Sequence, residues 1–477
     1  MRRFFIPAAL FAACALASAA ARAEPRYVGD KGPGRTFATP AILKPNVRLW
    51  TRVYGEYDSW TELYYDTKNL DILLGTLDLR PFGNDRARKV KAVEKERSRI
   101  KQALFRLASG KRSGSSALEK RLLKVYAGRR AALRTAHKNV GAHAGLRDRF
   151  GVGLKRLALY KPYVEEVLKR HGMPPALTAL AMTESLFNLR AMSKAGAYGC
   201  WQFLKGTGKE YLHLNALIDE RRDPIVATDG AARMLLGNIR RLKEWPLALT
   251  GYNYGPNGMA RAAKETGTHD LSEILKRWKA KRFKFASRNY YASILAALHV
   301  MRNQKKYFPG IQFPRAIRFD TVALPASAPL RAIAKHCGTS VKALAELNPG
   351  LTPAAVGSSV LLPQGFPLRV PAGKRARCVP RFHKVAGALR RGPVKPRLHR
   401  VRTGESFIAI AGRYGATLSQ VLSLNGLKAP RNLRVGEKLK VPGRGRGHGF
   451  TVVPVSREKL AKAPKSAEDT EDDTATQ

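Results

Sequence analysis

Acidic residues are scarce in this chain: its 477 residues carry 35 Asp+Glu against 87 Lys+Arg, a formal net charge of +52. Cysteine is scarcer still, at four, and no Cys or His stands at metal-ligand spacing, so neither a metal nor another cofactor is expected. Beyond the first 20 residues no apolar run is long enough to cross a bilayer as a helix. The positive balance points to an anionic partner: nucleic acid, an acidic membrane surface or an anionic polymer. The cations are spread along the chain with no single basic arm, which a need for solubility explains equally well.

The N-terminus narrows these classes. Met1-Arg2-Arg3 is cationic, Phe4 to Ala20 is apolar, and Ala21-Arg22-Ala23 is a small-x-small cleavage signal, so residues 1–23 read as a signal peptide. Phe11-Ala-Ala-Cys14 resembles a lipoprotein processing site, but the apolar run continues past Cys14, which favours cleavage after Ala23. Export argues against nucleic acid and for the periplasm, outer membrane or cell envelope. After processing, Cys200, Cys337 and Cys378 remain. An odd count leaves at least one thiol free or intermolecular, and spacing alone leaves a Cys337–Cys378 bridge open.

What is present is length for about three domains, with 44% hydrophobic residues, ordinary for globular cores. The pattern predicts a mainly α fold: a helical, basic N-terminal region over 24–150, a helical domain over 151–310 and small α+β units beyond. Arg86 to Leu107 reads as a basic amphipathic helix, Tyr64–Leu79 as mixed, and the whole of 86–305 as almost entirely helical. Two C-terminal units look related, one over 319–370 and one over 398–443. Each runs from a strand through Ile-Ala (Ile333-Ala334; Ile410-Ala411) to a helix ending in Asn348 or Asn425, and closes on a strand followed by proline. A basic linker spans 371–397, and the polar, acidic-ended tail 444–477 is expected to be disordered.

The candidate chemistry sits in Ala176–Phe187, a short helix opened by Pro174-Pro175. Leu177, Leu180, Ala181 and Glu184 share one face, so Glu184 is a carboxyl on an apolar surface whose pKa should rise, as a general acid near neutral pH requires. A carboxylate at the helix margin pointing to water is the competing reading. Downstream, Trp201-Gln202-Phe203 sets an amide between two aromatics, an arrangement suited to sugar rings or to two core aromatics with a capping amide. Tyr252-Asn253 lies beside glycine turns that suit a cleft wall.

Taken in order, Thr183-Glu184-Ser185-Leu-Phe187-Asn188, Ser193-Lys-Ala-Gly-Ala197, Gly199-Cys-Trp201-Gln202-Phe203, Asp223-Pro224 and Tyr252-Asn253-Tyr-Gly255 resemble the soluble-lytic-transglycosylase domain of bacterial murein transglycosylases, most of all the membrane-bound D type. Val401-Arg-Thr-Gly404-Glu405-Ser406 through Asn425 to Pro442 resembles a LysM module, and 319–370 a degenerate one without the Gly-Glu-Ser entry. The resemblance implies a lysozyme-like helical fold and non-hydrolytic cleavage of peptidoglycan glycan strands between MurNAc and GlcNAc, giving 1,6-anhydro ends. Glu184 would be the single acid and base. Ser193, Gln202, Tyr252, Asn253 and Tyr290 match positions that line the family's cleft. No Asp or Glu occurs from Ser185 to Lys209, which is compatible. The chain departs from the pattern at Leu189, Cys200, Leu204 and Gly251, and the family's Glu-Thr-x-x-Tyr stands here as Ala286-Ser287-Arg288-Asn289-Tyr290, without the glutamate. A hydrolytic muramidase and a non-catalytic wall-binding scaffold are the alternatives. Oligomeric state is left undetermined.

Overall fold

The computed structural model describes residues 37–110, 116–325, 327–357, 360–378, 397–403, 405–414, 421–422, 424–427 and 431–441. The expected signal peptide 1–23 with Cys14 and Ala23, most of the 371–397 linker and the 444–477 tail lie outside those residues.

Helices dominate, as the residue pattern predicts. α1 (Lys44–Thr51) runs into a wide π-type turn at Arg52–Glu56. The basic helices α2 (Arg86–Ala108) and α3 (Ala117–Val125) are capped by Asp85 and Ser116, whose side chains accept first-turn N–H groups, and a short α4 (Arg130–Ala136) follows. α5 (Arg147–Arg170), α6 (Thr178–Ser185), α7 (Lys205–Tyr211) and α8 (Pro224–Leu242) lead to α9 (Trp245–Tyr254), α10 (Pro256–Thr266), α11 (Leu271–Arg277) and α12 (Phe285–Arg302). α12 is the axis of this body. Asn289 through Leu298 are all buried, as expected for a helix packed on every side, and α1, α6 and α9 lie against it.

The N-terminal region, expected to be helical with a mixed stretch at Tyr64–Leu79, also carries a sheet. β1 (Thr61–Asp66) lies between β2 (Leu73–Asp78) and β3 (Val140–Ala144) in an antiparallel sheet ordered β2-β1-β3. β3 also interrupts the stretch 86–305 read as almost continuous helix. β1 was unreadable because both its faces are covered. Leu63 joins the main core, while Tyr64 points the other way into a second core with Ile100, Leu104 and Leu122 of α2 and α3. Both faces are buried, and the Tyr64 face also holds the carboxyls of Glu62 and Asp66, so the polar-out alternation that marks a half-exposed strand is lost. Packing also crosses the boundary expected at 150/151, since Leu43, Val53 and Tyr54 belong to the same core as α5 to α12.

The two C-terminal units share one plan. In the first, β4 (Phe319–Ala323) pairs antiparallel with a closing strand, Pro367–Pro371, around α13 (Leu330–Cys337) and α14 (Val341–Leu347). In the second, Arg397–Arg400 pairs antiparallel with Lys438–Val441. Asn348 at the end of α14 donates to Arg369 O and accepts from Arg369 N, tying helix to closing strand at 2.7 and 2.8 Å. Asn425 makes the same pair of bonds to Lys440, also at 2.7 and 2.8 Å. The asparagines that marked the repeat are thus one structural device used twice.

Cys337 and Cys378 form a disulfide, and Cys200 is buried and free. The bridge closes 41 residues around the first unit. Its reduction should cost roughly 2–4 kcal/mol by the entropy released to the unfolded chain. Urea denaturation with and without reductant measures this, and coincident curves would show that the bond adds nothing.

Candidate active site

The site is built at the broken end of a two-turn helix. Pro174 and the turn Pro175–Leu177 set the entry of α6, and α6 stops because Leu186 and Phe187 adopt left-handed backbone at φ +53° and +50°. Such conformations cost a residue with a Cβ on the order of 1 kcal/mol each, so neighbours must hold them. The Phe187 side chain is wholly buried. Gly153 on α5 lets the turn approach, since a Cβ there would stand 2.9 Å from the Leu186 carbonyl oxygen. Ser185 Oγ accepts from Asn188 N at 3.1 Å and donates to Cys200 O at 3.0 Å.

Glu184 stands one residue before this break. Burial raises its pKa from the ordinary 4.5 to about 7, against a hydrogen bond donated by the Tyr290 hydroxyl to Oε1 that favours the anion. Glu62 and Glu220 are also raised to about 7, chiefly by burial. Titration alone therefore does not single out Glu184. Glu62 and Glu220 are closed off at 9% and 6% exposure, whereas Glu184 keeps part of its surface open to solvent.

Three tyrosines from distant segments surround the carboxyl. Tyr290 on α12 contacts it directly, Tyr252 on α9 donates to Trp201 O at 2.8 Å, and Tyr54 comes from the π-type turn after α1. Burial, and then the nearby Glu184 charge, push the Tyr252 and Tyr290 phenols far above their usual range. Tyr54 is raised by burial despite bonds to Ser293 and Thr183. All three remain neutral hydroxyls around one titrating carboxyl. Among the described residues, no other Asp or Glu and no Lys or Arg contributes to the shift at Glu184.

The remaining expected residues divide. Ser193 and Gln202 shape the loop from Ser193 to Phe203: Ser193 Oγ accepts from Ala197 N at 3.0 Å, and Gln202 Nε2 donates to Ala191 O and Gly199 O at 3.2 and 2.8 Å. Gln202 is itself left-handed at φ +51°. Asn253 is exposed and accepts from Ser287 Oγ at 3.0 Å, without a hydrogen bond to Glu184. Trp201 and Phe203 are not sugar platforms. They are 0% and 2% exposed, and the Trp201 indole donates to Thr228 Oγ1 at 2.9 Å inside the core. Tyr54 was not picked out from sequence as a site residue. Its only signal was a helical stripe shared with Val47 and Trp50, which marks core as readily as site.

The chain is similar to known proteins in three of its regions. Residues 163–275 match the transglycosylase SLT domain, 318–380 the LysM-like domain of lytic transglycosylase MltD, and 399–442 the LysM domain. The chain is similar to membrane-bound lytic murein transglycosylase D of Escherichia coli strains K12 and O6:H1, at 26% identity over 293 residues. That alignment spans 59% of this chain and 63% of each relative's length. Among solved structures, an inactive mutant of lytic transglycosylase Slt from Pseudomonas aeruginosa aligns at 16% identity and TM-score 0.26, covering 49% of this chain and 35% of that one. The 70 kDa soluble lytic transglycosylase of Escherichia coli aligns at 17% and 0.27, covering 48% and 36%.

A carboxyl whose pKa rises from 4.5 to about 7 on folding keeps a proton that the unfolded chain gives up, so stability falls as pH climbs through that window. Glu184→Gln cannot ionise. It should gain roughly 3 kcal/mol over the wild type at pH 8 and almost nothing at pH 4. Denaturation at the two pH values tests this, and equal effects at both would show that the carboxyl is not desolvated.

Proposed function

We propose that this chain is a peptidoglycan lytic transglycosylase that cleaves β-1,4 bonds between MurNAc and GlcNAc without water and leaves 1,6-anhydro-MurNAc ends. The observation that carries the reading is a partly open carboxyl with a pKa near 7, bonded to a buried tyrosine, with no second charged group contributing to its titration. An acid with this pKa can serve both halves of one reaction at neutral pH. Glu184 gives its proton to the glycosidic oxygen as the bond to the MurNAc anomeric carbon breaks. The resulting carboxylate then takes the proton of the MurNAc 6-hydroxyl as that oxygen bonds to the same carbon. The proton returns to Glu184 and no water is consumed. Glycosidases that deliver water or form a glycosyl-enzyme need two carboxyls.

Tyr290 stabilises the carboxylate formed after the first half, while Tyr54 and Tyr252 keep the surrounding wall neutral. Ser193, Gln202, Tyr252, Asn253 and Tyr290 form or support the glycan-binding cleft. The unit over 398–443 holds glycan strands as a LysM module. The protein works in the periplasm or outer envelope, where a Cys337–Cys378 disulfide persists, and its net charge of +52 favours anionic envelope surfaces.

Digestion of purified sacculi should release anhydro-muropeptides, and Glu184→Gln should lower the rate by about 10²–10⁴-fold. Mass spectrometry showing reducing ends alone would replace this reading with a hydrolytic muramidase; undiminished cleavage by Glu184→Gln would remove Glu184 from its role. Because the first half needs the protonated acid, kcat should decline as pH rises through about 7. Tyr290→Phe removes a bond that favours the anion, so that limb should move to higher pH while the rate falls. A limb that stays in place would uncouple Tyr290 from the acid. Sacculus binding should also weaken between low salt and about 1 M, where the screening length drops to roughly 3 Å. Salt-independent binding would leave the cationic surface without this role.

A further inference from the structure

The unit over 318–380 is not a free appendage. Leu217 and Ile218, from the helical body, lie inside its hydrophobic core. Ile218 bridges Leu351, Thr352 N donates to Leu217 O at 2.9 Å, and Thr352 Oγ1 donates to Ala216 O at 2.7 Å. At its entry, Phe319 stacks on Tyr163 of α5 with ring centroids 4.8 Å apart.

The junction centres on a short turn, Glu220–Arg222, that this unit grips at both ends. Before the turn, Asp219 N donates to Gly350 O at 2.8 Å. After it, Arg369 donates both Nη1 and Nη2 to the Asp223 carboxylate, at 2.6 and 3.0 Å. Arg369 is 8% exposed and Asp223 6%, and Asp223 also caps α8 through Ile225 N and Val226 N. A buried two-pronged pair of this kind resists sliding, because moving either partner strands the other charge.

The inner side of the same turn holds the site loop. Arg221 donates to the carbonyls of Gly196 and Phe203 at 3.2 and 3.3 Å. Gly199 packs so tightly on Arg221 that a Cβ would stand 1.8 Å from its carbonyl oxygen. That loop meets the Glu184 helix through Ser185 Oγ to Cys200 O, and meets Tyr252 through its bond to Trp201 O.

We infer that the 318–380 unit is a fixed buttress of the catalytic cleft, and that Arg369 is a positioning residue that sets the Ser193–Phe203 loop through the Glu220–Arg222 turn. The contacts stand independently of the reaction; the kinetic consequence rests on the function proposed above. The unit thus differs in role from the 398–443 module, whose contribution is to hold glycan and therefore to KM.

The test uses the full chain with Arg369→Met and Asp223→Asn together, which removes both charges and keeps an N-cap side chain on α8. At a temperature where wild type and variant are both folded, kcat on isolated glycan strands should fall at least about tenfold with KM within about twofold. Hydrogen exchange should quicken in 193–203 as well as in 318–378. Arg369→Lys keeps the charge but not the fork and should fall between; it carries the test alone if the double variant does not fold. Unchanged kcat with faster exchange confined to 318–378 would overturn the inference and leave the pair as a tether. If the wild type releases no product from peptidoglycan, the functional proposal fails, and exchange in 193–203 still decides the coupling.

Discussion

A largely buried carboxyl with no countercharge among the described residues is the constraint on which this molecule turns. Desolvation disfavours the Glu184 anion, and the compensating contact is one phenolic hydroxyl from Tyr290. A lysine or arginine in that place would pull the pKa down and leave a permanent carboxylate; open water would do the same. The tyrosine wall keeps the group near neutrality in both senses. The carboxyl is then neither fully committed to its proton nor stripped of it near neutral pH, which is the property the proposed reaction draws on.

Holding such a group requires strain and strict packing nearby. The helix that carries Glu184 must end at once, so two residues with side chains sit in left-handed backbone, and a third does so at Gln202. Each is trapped by something rigid: Phe187 by the core, Leu186 by its close approach to Gly153, Gln202 by its own amide bonded to two loop carbonyls. The main helices behind them, α5 and α12, are long, and the strained segments are short. Stability in the scaffold offsets local cost at the site.

Much of this architecture is legible along the chain. The helix from Arg86 follows from its apolar spacing, and the paired asparagines at 348 and 425 betray a repeated unit before any fold is known. The alternation of β1 was hidden because both faces of that strand are buried. The Trp201-Gln202-Phe203 block was compatible with a sugar platform or with core aromatics, because local sequence does not say which way a ring points, and the core reading is the one observed. Tyr54 was invisible as a site residue for a related reason. Its place beside Thr183 and Ser293 exists only when α1 packs on α12.

By itself, then, the sequence placed one carboxyl on an apolar helix face. Glu184 lies on an apolar helix face with no carboxylate following within reach along the chain, and helical periodicity alone puts it there. It also determined the order of the modules, because capping and repeat signals are local. Tertiary structure decided the rest. It buried three carboxyls enough to raise their pKa, Glu62 and Glu220 almost wholly and Glu184 in part. It gathered tyrosines from positions 54, 252 and 290 around it, and it joined Cys337 to Cys378. It also locked Asp223 to Arg369 across 146 residues. Periodicity and capping act over a few residues and can be read in order. Desolvation and ion pairing depend on which surfaces meet, and that is settled only when the whole core closes.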